Sequence, residues 1–104
     1  MKLLPFEISK IKKISAVYLL FDKEMELIYV GVSKDIRTRL QQHTSINARR
    51  EVNGIDSRYT TKIPYNTVKF YAYIEETDEE KRKFIEQGLV YFFNPKYNST
   101  YGLK

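Results

Sequence analysis

The sequence predicts an α+β domain built on a small antiparallel sheet. Three stretches rich in aliphatic and aromatic residues have the alternation of strands, and two others have the apolar spacing of helices. Their order is strand, strand, helix, strand, helix, and a polar segment over 23–26 suits a hairpin between the first two strands. With 104 residues, the chain is expected to form a single domain over 1–104 that begins with an N-terminal arm over 1–14.

The first half supplies a hairpin and a helix. Segment 15–22 is the first predicted strand, with alternate residues on opposite faces and Tyr18 at its middle. Segment 27–31 is the second strand. Capping residues over 33–35 then predict a helix over 35–43, in which polar residues four apart share a face.

The second half begins with a polar segment over 44–66, which predicts a long loop. Segment 67–74 alternates again and predicts the third strand. Thr77 and Glu80 form a predicted capping box for the second helix, which Asn94 and the following proline end. The apolar residues at helical spacing are expected to face the core: Phe84, Ile85, Leu89 and Phe92.

Composition excludes several classes of protein. There is no cysteine and only one histidine, so a disulfide framework, a cysteine nucleophile and a zinc site built from several histidines are excluded. No stretch reaches the roughly 18 apolar residues of a membrane span, and no signal peptide is visible, so a cytoplasmic protein without a membrane partner is expected.

The net charge is +5, and all of this excess lies in residues 1–50. A basic half on a small domain favours a polyanionic partner such as a nucleic acid. A general solubility charge explains the same excess equally well.

Five polar residues together suit cleavage of a phosphodiester bond: Tyr18, Tyr29, Arg39, His43 and Glu86. An arginine stays charged and binds two phosphate oxygens at once. One carboxylate suits Mg²⁺, which keeps several water ligands. A tyrosine acts as a base only when its pKa is lowered, so a metal-bound water or nearby cations would have to help it.

Each of these residues also has a purely structural interpretation. A tyrosine pair on a hairpin is often only packing, and Arg39 could be a solvated helix residue. Glu86 could pair with Arg82 on a wet face, and His43 could interact with the negative end of its helix. Spacing alone leaves both sets of interpretations open.

Read together, the motifs resemble the GIY-YIG nuclease family. Residues 16–18 (AVY) resemble its first motif, residues 29–31 (YVG) its second, and the following run VSKDIRTRLQQH is similar to the family's segment with its arginine and histidine. Glu86, in FIEQGLVYFFNPKYN, resembles the metal-binding glutamate, and Asn98 resembles the asparagine that closes the domain. The resemblance covers about residues 15–98, and its main departure is Ala16 in place of a glycine.

The resemblance implies a three-stranded antiparallel sheet flanked by helices, and a DNA endonuclease that uses one divalent ion, Mg²⁺ or Mn²⁺. It implies that Glu86 holds the metal, that Tyr18 is the general base with metal help, and that Arg39 stabilises the phosphate. Tyr29 would orient water or phosphate, and His43 and Asn98 would support the site. The alternative is an inactive module that binds nucleic acid or acts in assembly.

DNA affinity is expected to come mainly from phosphate contacts, with little base readout. Sequence specificity would come from a homodimer, from segment 44–66 or from a partner protein. The candidate phosphate-binding residues are Lys34, Arg37, Arg49, Arg50, Arg58 and Lys62.

Overall fold

The structure is a computed structural model that describes residues 2–44 and 67–101, with side chains over 2–42 and 67–98. The predicted loop over 44–66 therefore lies outside the described residues, apart from Thr44 at the end of a helix.

A single antiparallel sheet contains four strands: β1 (Leu4–Pro5), β2 (Ala16–Phe21), β3 (Leu27–Ser33) and β4 (Phe70–Glu75). Their spatial order is β1-β4-β2-β3, so β3 lies at one edge and β1 at the other. The predicted α+β class is confirmed, but the expectation of three strands was one strand short. The additional strand has two residues, which is too short to carry an alternation pattern.

Among the described residues, two α-helices cover opposite faces of the sheet: α1 (Ile36–Thr44) and α2 (Glu79–Phe93). Ile36 and Leu40 of α1 pack with Tyr18, on the face to which the even-numbered residues of β2 point. Val90 of α2 packs on the other face, which carries the odd-numbered residues of β2. The alternation predicted for β2 therefore separates the two halves of the core.

Helix α2 starts and packs differently from the prediction. Its N-cap is Asp78, whose side chain accepts hydrogen bonds from the backbone N–H groups of Glu80 and Lys81, so the predicted capping box at Thr77 is one residue early. Phe84 and Phe92, both expected in the core, are 78% exposed. The helix instead turns a stripe of Arg82, Glu86 and Val90 inward, flanked by Ile85 and Leu89. The apolar pattern predicted the wrong inward face because two of the residues on the buried face are charged.

The N-terminal arm is part of the fold. Ile11 is 2% exposed and belongs to the core cluster with Ile36 and Leu40 of α1. Phe6 packs edge-to-face on Tyr71, with ring centroids 6.1 Å apart. These contacts fix the arm to both α1 and β4.

Across residues 2–44 and 67–101, the structure contains no helix long and apolar enough to cross a membrane.

We expect Ile11→Ala to lower the free energy of unfolding by about 2–5 kcal/mol, because the substitution leaves a cavity in the core. Urea denaturation measures this change, and Ser9→Ala, on the exposed surface of the same arm, should change stability by less than about 0.5 kcal/mol. Equal stability of the two variants would mean that the arm does not pack on the core.

Candidate active site

Tyr18 and Tyr29 share one face of the β2–β3 hairpin. In the register, Tyr18 lies opposite Gly31 and Leu20 lies opposite Tyr29, so the two tyrosines are diagonal neighbours. Their ring centroids are 6.2 Å apart and their planes are tilted by 34°. The register therefore places the two tyrosine side chains on the same face of the hairpin.

The ring of Tyr18 lies directly over Gly31. A Cβ atom at Gly31 would be 2.9 Å from Cε2 of Tyr18 and closer still to Cζ and the hydroxyl oxygen. Because Gly31 belongs to the edge strand β3, the phenol of Tyr18 extends over that strand, and the residue is only 1% exposed. The Tyr18 ring thus fills the space above Gly31.

Arg39 reaches Tyr18 from helix α1, which lies on the same face of the sheet. The backbone carbonyl of Asp35 accepts a hydrogen bond from the backbone N–H of Arg39 at 3.1 Å, which places Arg39 in the first turn of the helix. The guanidinium forms a side-chain hydrogen bond with the Tyr18 hydroxyl. Arg39 is therefore held at the phenol, and its interpretation as a freely solvated helix residue is wrong.

Glu86 approaches the same phenol from helix α2. Its side chain is only 8% exposed, and its negative charge raises the pKa of Tyr18. The carboxylate therefore lies within electrostatic range of the phenol, although α2 covers the other face of the sheet. Charges from α1 and α2 thus both act on the hydroxyl of a β2 residue.

The pKa of the Tyr18 hydroxyl lies far above its ordinary value. Burial is the largest cause, because it penalises the charged phenolate, and the neighbouring Tyr29 adds to it. The charge of Glu86 raises this pKa further, whereas Arg39 lowers it through its charge and its hydrogen bond. Without a further cation, Tyr18 holds its proton at neutral pH.

The interpretation of Glu86 as half of a surface ion pair is wrong. Arg82 is 3% exposed, and its Nη1 donates to the backbone carbonyls of Glu76 and Thr77, both at 2.9 Å. Arg82 thus fixes the segment that leads into α2. Both side chains lie on the buried face of the helix and not on its solvent-exposed face.

Asn98 lies beside the site and binds backbone. Its Oδ1 accepts the N–H of Val30 at 2.9 Å, and its Nδ2 donates to the carbonyl of Val30 at 3.0 Å. Val30 lies between Tyr29 and Gly31, so the amide of Asn98 pairs with the edge strand as a neighbouring strand would. Asn98 is 1% exposed. The sequence predicted a supporting residue, and the supported element is β3.

Of the remaining predicted site residues, the structure describes only some side chains. Lys34 is exposed and Arg37 is half-buried, both at the start of α1. His43 lies in α1, but its side chain is outside the described part. Four predicted phosphate-binding residues lie wholly outside the described residues: Arg49, Arg50, Arg58 and Lys62.

The donor set suits a hard divalent cation that keeps most of its water. In the part of the chain that the structure describes, no three His, Cys, Asp or Glu side chains are grouped as a metal cluster. Glu86 supplies a buried carboxylate whose charge acts on the hydroxyl of Tyr18. Mg²⁺ is commonly bound through one or two carboxylates together with waters and substrate phosphates, so these residues fit one such ion.

Sequence reasoning missed the steric role of Gly31. The signal was available, because the hairpin register sets a glycine directly opposite an aromatic residue, a pairing in which the ring covers the glycine. Pairing the two strands residue by residue would have revealed it.

A family model for the GIY-YIG catalytic domain matches residues 14–98 of this chain. The resemblance drawn from the motifs is thereby confirmed.

Two proteins of known family are similar to most of this chain. UvrABC system protein C of Helicobacter pylori (strain Shi470) is 31% identical over 88 residues, which cover 81% of this chain. UvrABC system protein C of Protochlamydia amoebophila (strain UWE25) is 33% identical over 98 residues, or 91% of this chain. The chain spans only 14% of the length of each of these curated relatives.

A solved structure has the same fold. The GIY-YIG N-terminal endonuclease domain of UvrC from Thermotoga maritima, bound to magnesium as its catalytic divalent cation, aligns with a TM-score of 0.57. It is 22% identical, and the alignment covers 88% of this chain and 90% of that domain.

We expect Gly31→Ala and Gly88→Ala to have opposite effects on stability. At Gly31 the added methyl group collides with the Tyr18 ring, and overpacking of this kind costs about 1–3 kcal/mol. At Gly88, in α2, nothing lies within 4 Å of the added atom, and alanine favours a helix by about 0.5–1 kcal/mol. Thermal unfolding compares the two variants, and a neutral Gly31→Ala would refute the close contact.

We expect Asn98→Ala to lower the free energy of unfolding by about 1–3 kcal/mol, because it leaves the N–H and carbonyl of Val30 without their buried partner. Asn98→Asp should also destabilise, since it keeps the acceptor but sets a charged oxygen against the carbonyl. Denaturant unfolding measures both, with Gln87→Ala on the exposed face of α2 as the control. A loss as small as that of the control would exclude the backbone pairing.

Proposed function

This chain belongs to the GIY-YIG family of catalytic domains, and from that membership we propose that it is an endonuclease that hydrolyses phosphodiester bonds of DNA with one divalent cation. The observation that carries the proposal is the hydrogen bond between Arg39 and the Tyr18 hydroxyl, at a point where the charge of Glu86 also acts. An arginine, a phenol and a carboxylate from three separate elements thus act on one another in the way that cleavage of a phosphodiester bond would require.

Arg39 would bind the scissile phosphate. Its guanidinium is planar, stays charged and matches two phosphate oxygens at once. The hydrogen bond to Tyr18 fixes its orientation before the substrate arrives. A charge positioned in advance stabilises the transition state without the cost of reorganisation.

Tyr18 would move the proton of the attacking water. Its raised pKa means that the hydroxyl holds its own proton in the protein alone. To act as a base, Tyr18 would first release that proton to solvent, and the resulting phenolate, stabilised by nearby positive charge, would take a proton from the attacking water. Arg39 already acts in this direction. Tyr29, 6.2 Å away between ring centroids, would orient water or phosphate by hydrogen bonding.

Glu86 would hold the cation, either Mg²⁺ or Mn²⁺. The magnesium-bound UvrC domain from Thermotoga maritima supports this choice by analogy of fold. A bound divalent cation would supply a water of lowered pKa and positive charge to stabilise the leaving group. The burial of Glu86 keeps its carboxylate at a fixed position and lowers competition from bulk water.

Other features of the proposal concern location and partners. A single domain over 1–104, a cytoplasmic location, the support of the site by His43, and a homodimer or a specificity-providing partner stay predictions. The relatives are components of a system with a shared name, UvrABC, which supports a search for protein partners. Affinity for DNA is expected to depend mainly on phosphate contacts.

We expect the protein to nick supercoiled plasmid with Mg²⁺ or Mn²⁺ and to be inactive with EDTA. Glu86→Gln and Arg39→Ala should each lower the cleavage rate by about 100-fold or more. The first removes the carboxylate that would hold the cation, and the second removes the positive charge that would bind the phosphate. Tyr18→Phe should lower it by about 100-fold or more through loss of the proton acceptor.

Tyr73→Phe is the matched control. Tyr73 lies opposite Tyr18 in the neighbouring strand and loses the same hydroxyl, but it is not part of the proposed site. Its cleavage rate should match that of the unaltered protein. Plasmid retention without nicking by the unaltered protein would contradict the endonuclease and favour the inactive binding module.

A further inference from the structure

The N-terminal arm carries two lysines, Lys12 and Lys13, that no part of the proposed mechanism uses. Both side chains are exposed. Within the described residues, neither one takes part in an ion pair, whereas Lys10 of the same arm pairs with Glu7 at 3.2 Å. Two charged groups on a surface without local partners are available to an external anion.

The backbone on both sides of this lysine pair is fixed. Ile11, directly before it, is 2% exposed in the core. Directly after it, the carbonyl of Ile14 accepts the N–H of Ile36 at 3.0 Å, and the hydroxyl of Ser15 donates to the carbonyl of Lys34 at 2.9 Å. The two lysines are therefore displayed from a defined place on the fold and not from a loose tail.

The same contacts set the arm beside the start of α1. Lys34 and Arg37 lie there, and Arg39 follows in the first turn of that helix. Asp35 is the acidic residue among them, and its carboxylate caps the helix by accepting from Thr38. Over residues 12–13 and 34–39, the chain carries five positive charges against one negative.

The lysine pair is within reach of a bound nucleic acid at the candidate site. Lys13 lies five positions before Tyr18, and a chain of that length spans at most about 17 Å. Duplex DNA carries about one phosphate charge per 1.7 Å of its axis, so about ten phosphate charges lie within that distance of the scissile position.

We propose that Lys12 and Lys13 form, with Lys34 and Arg37, a binding site for the phosphate backbone that flanks the cleaved bond. That the ligand of this site is DNA rests on the proposed function. Each lysine neutralises one phosphate and releases counterions, and neither reads a base. The arm thus has a second task besides packing, which is to hold duplex DNA across the start of α1.

The test compares two double variants of equal charge. Lys12→Ala with Lys13→Ala removes the arm site, and Lys23→Ala with Lys69→Ala removes two exposed lysines at the opposite end of β2. Binding to a labelled duplex of about 20 base pairs is measured by fluorescence anisotropy in EDTA, with salt varied from about 50 to 200 mM. EDTA prevents cleavage, so binding is read alone.

The arm variant should reduce the steepness of log Kd against log salt by about 1.8, because two phosphate contacts are lost at about 0.9 each. At about 0.1 M salt its affinity should fall by roughly 10- to 60-fold on the same basis. The control variant should change the slope by less than about 0.5.

An unchanged slope in the arm variant, or an equal change in both variants, would overturn the proposal. Circular dichroism of the two variants checks that both are folded, and Lys12→Gln with Lys13→Gln repeats the test with longer neutral side chains. Plasmid cleavage is scored separately. Normal salt-dependent binding by a protein that never cuts would refute the endonuclease and leave the arm site standing.

Discussion

The passage of the Tyr18 phenol over Gly31 is the contact on which the rest of the site depends. A tyrosine in a central strand ordinarily keeps its hydroxyl above its own sheet, far from any edge. Here the neighbouring edge strand has no side chain at Gly31, so the Tyr18 ring lies across it. The charges of Arg39, from the helix on one face, and Glu86, from the helix on the other, both act on this hydroxyl.

Helix α2 is oriented by this site at the expense of an ordinary apolar core. A buried charge costs free energy unless it has a partner, and α2 buries two charged residues, Arg82 and Glu86. Arg82 is satisfied by two backbone carbonyls. Because these residues occupy the inner stripe, Phe84 and Phe92 point outward, where two large apolar side chains gain nothing from burial.

The open edge beside the site is closed by a side chain and not by another strand. An unpaired edge invites association with other chains, and the N–H and carbonyl of Val30 would be exposed there. The amide of Asn98 satisfies both groups, which fixes the backbone between Tyr29 and Gly31 without covering the site with a full strand.

The sequence by itself determined the α+β class, the separation of the two faces of β2, and the family, because each depends on local alternation or on motifs read along the chain. It also identified Tyr18, Arg39 and Glu86 as candidates. It did not determine the two-residue strand β1, the burial of Arg82, or the inward face of α2. Those features depend on contacts between residues far apart in the chain. Whether Glu86 meets the phenol was decided by how α2 packs on the sheet, since helical periodicity records which residues share a face but not which neighbour that face meets.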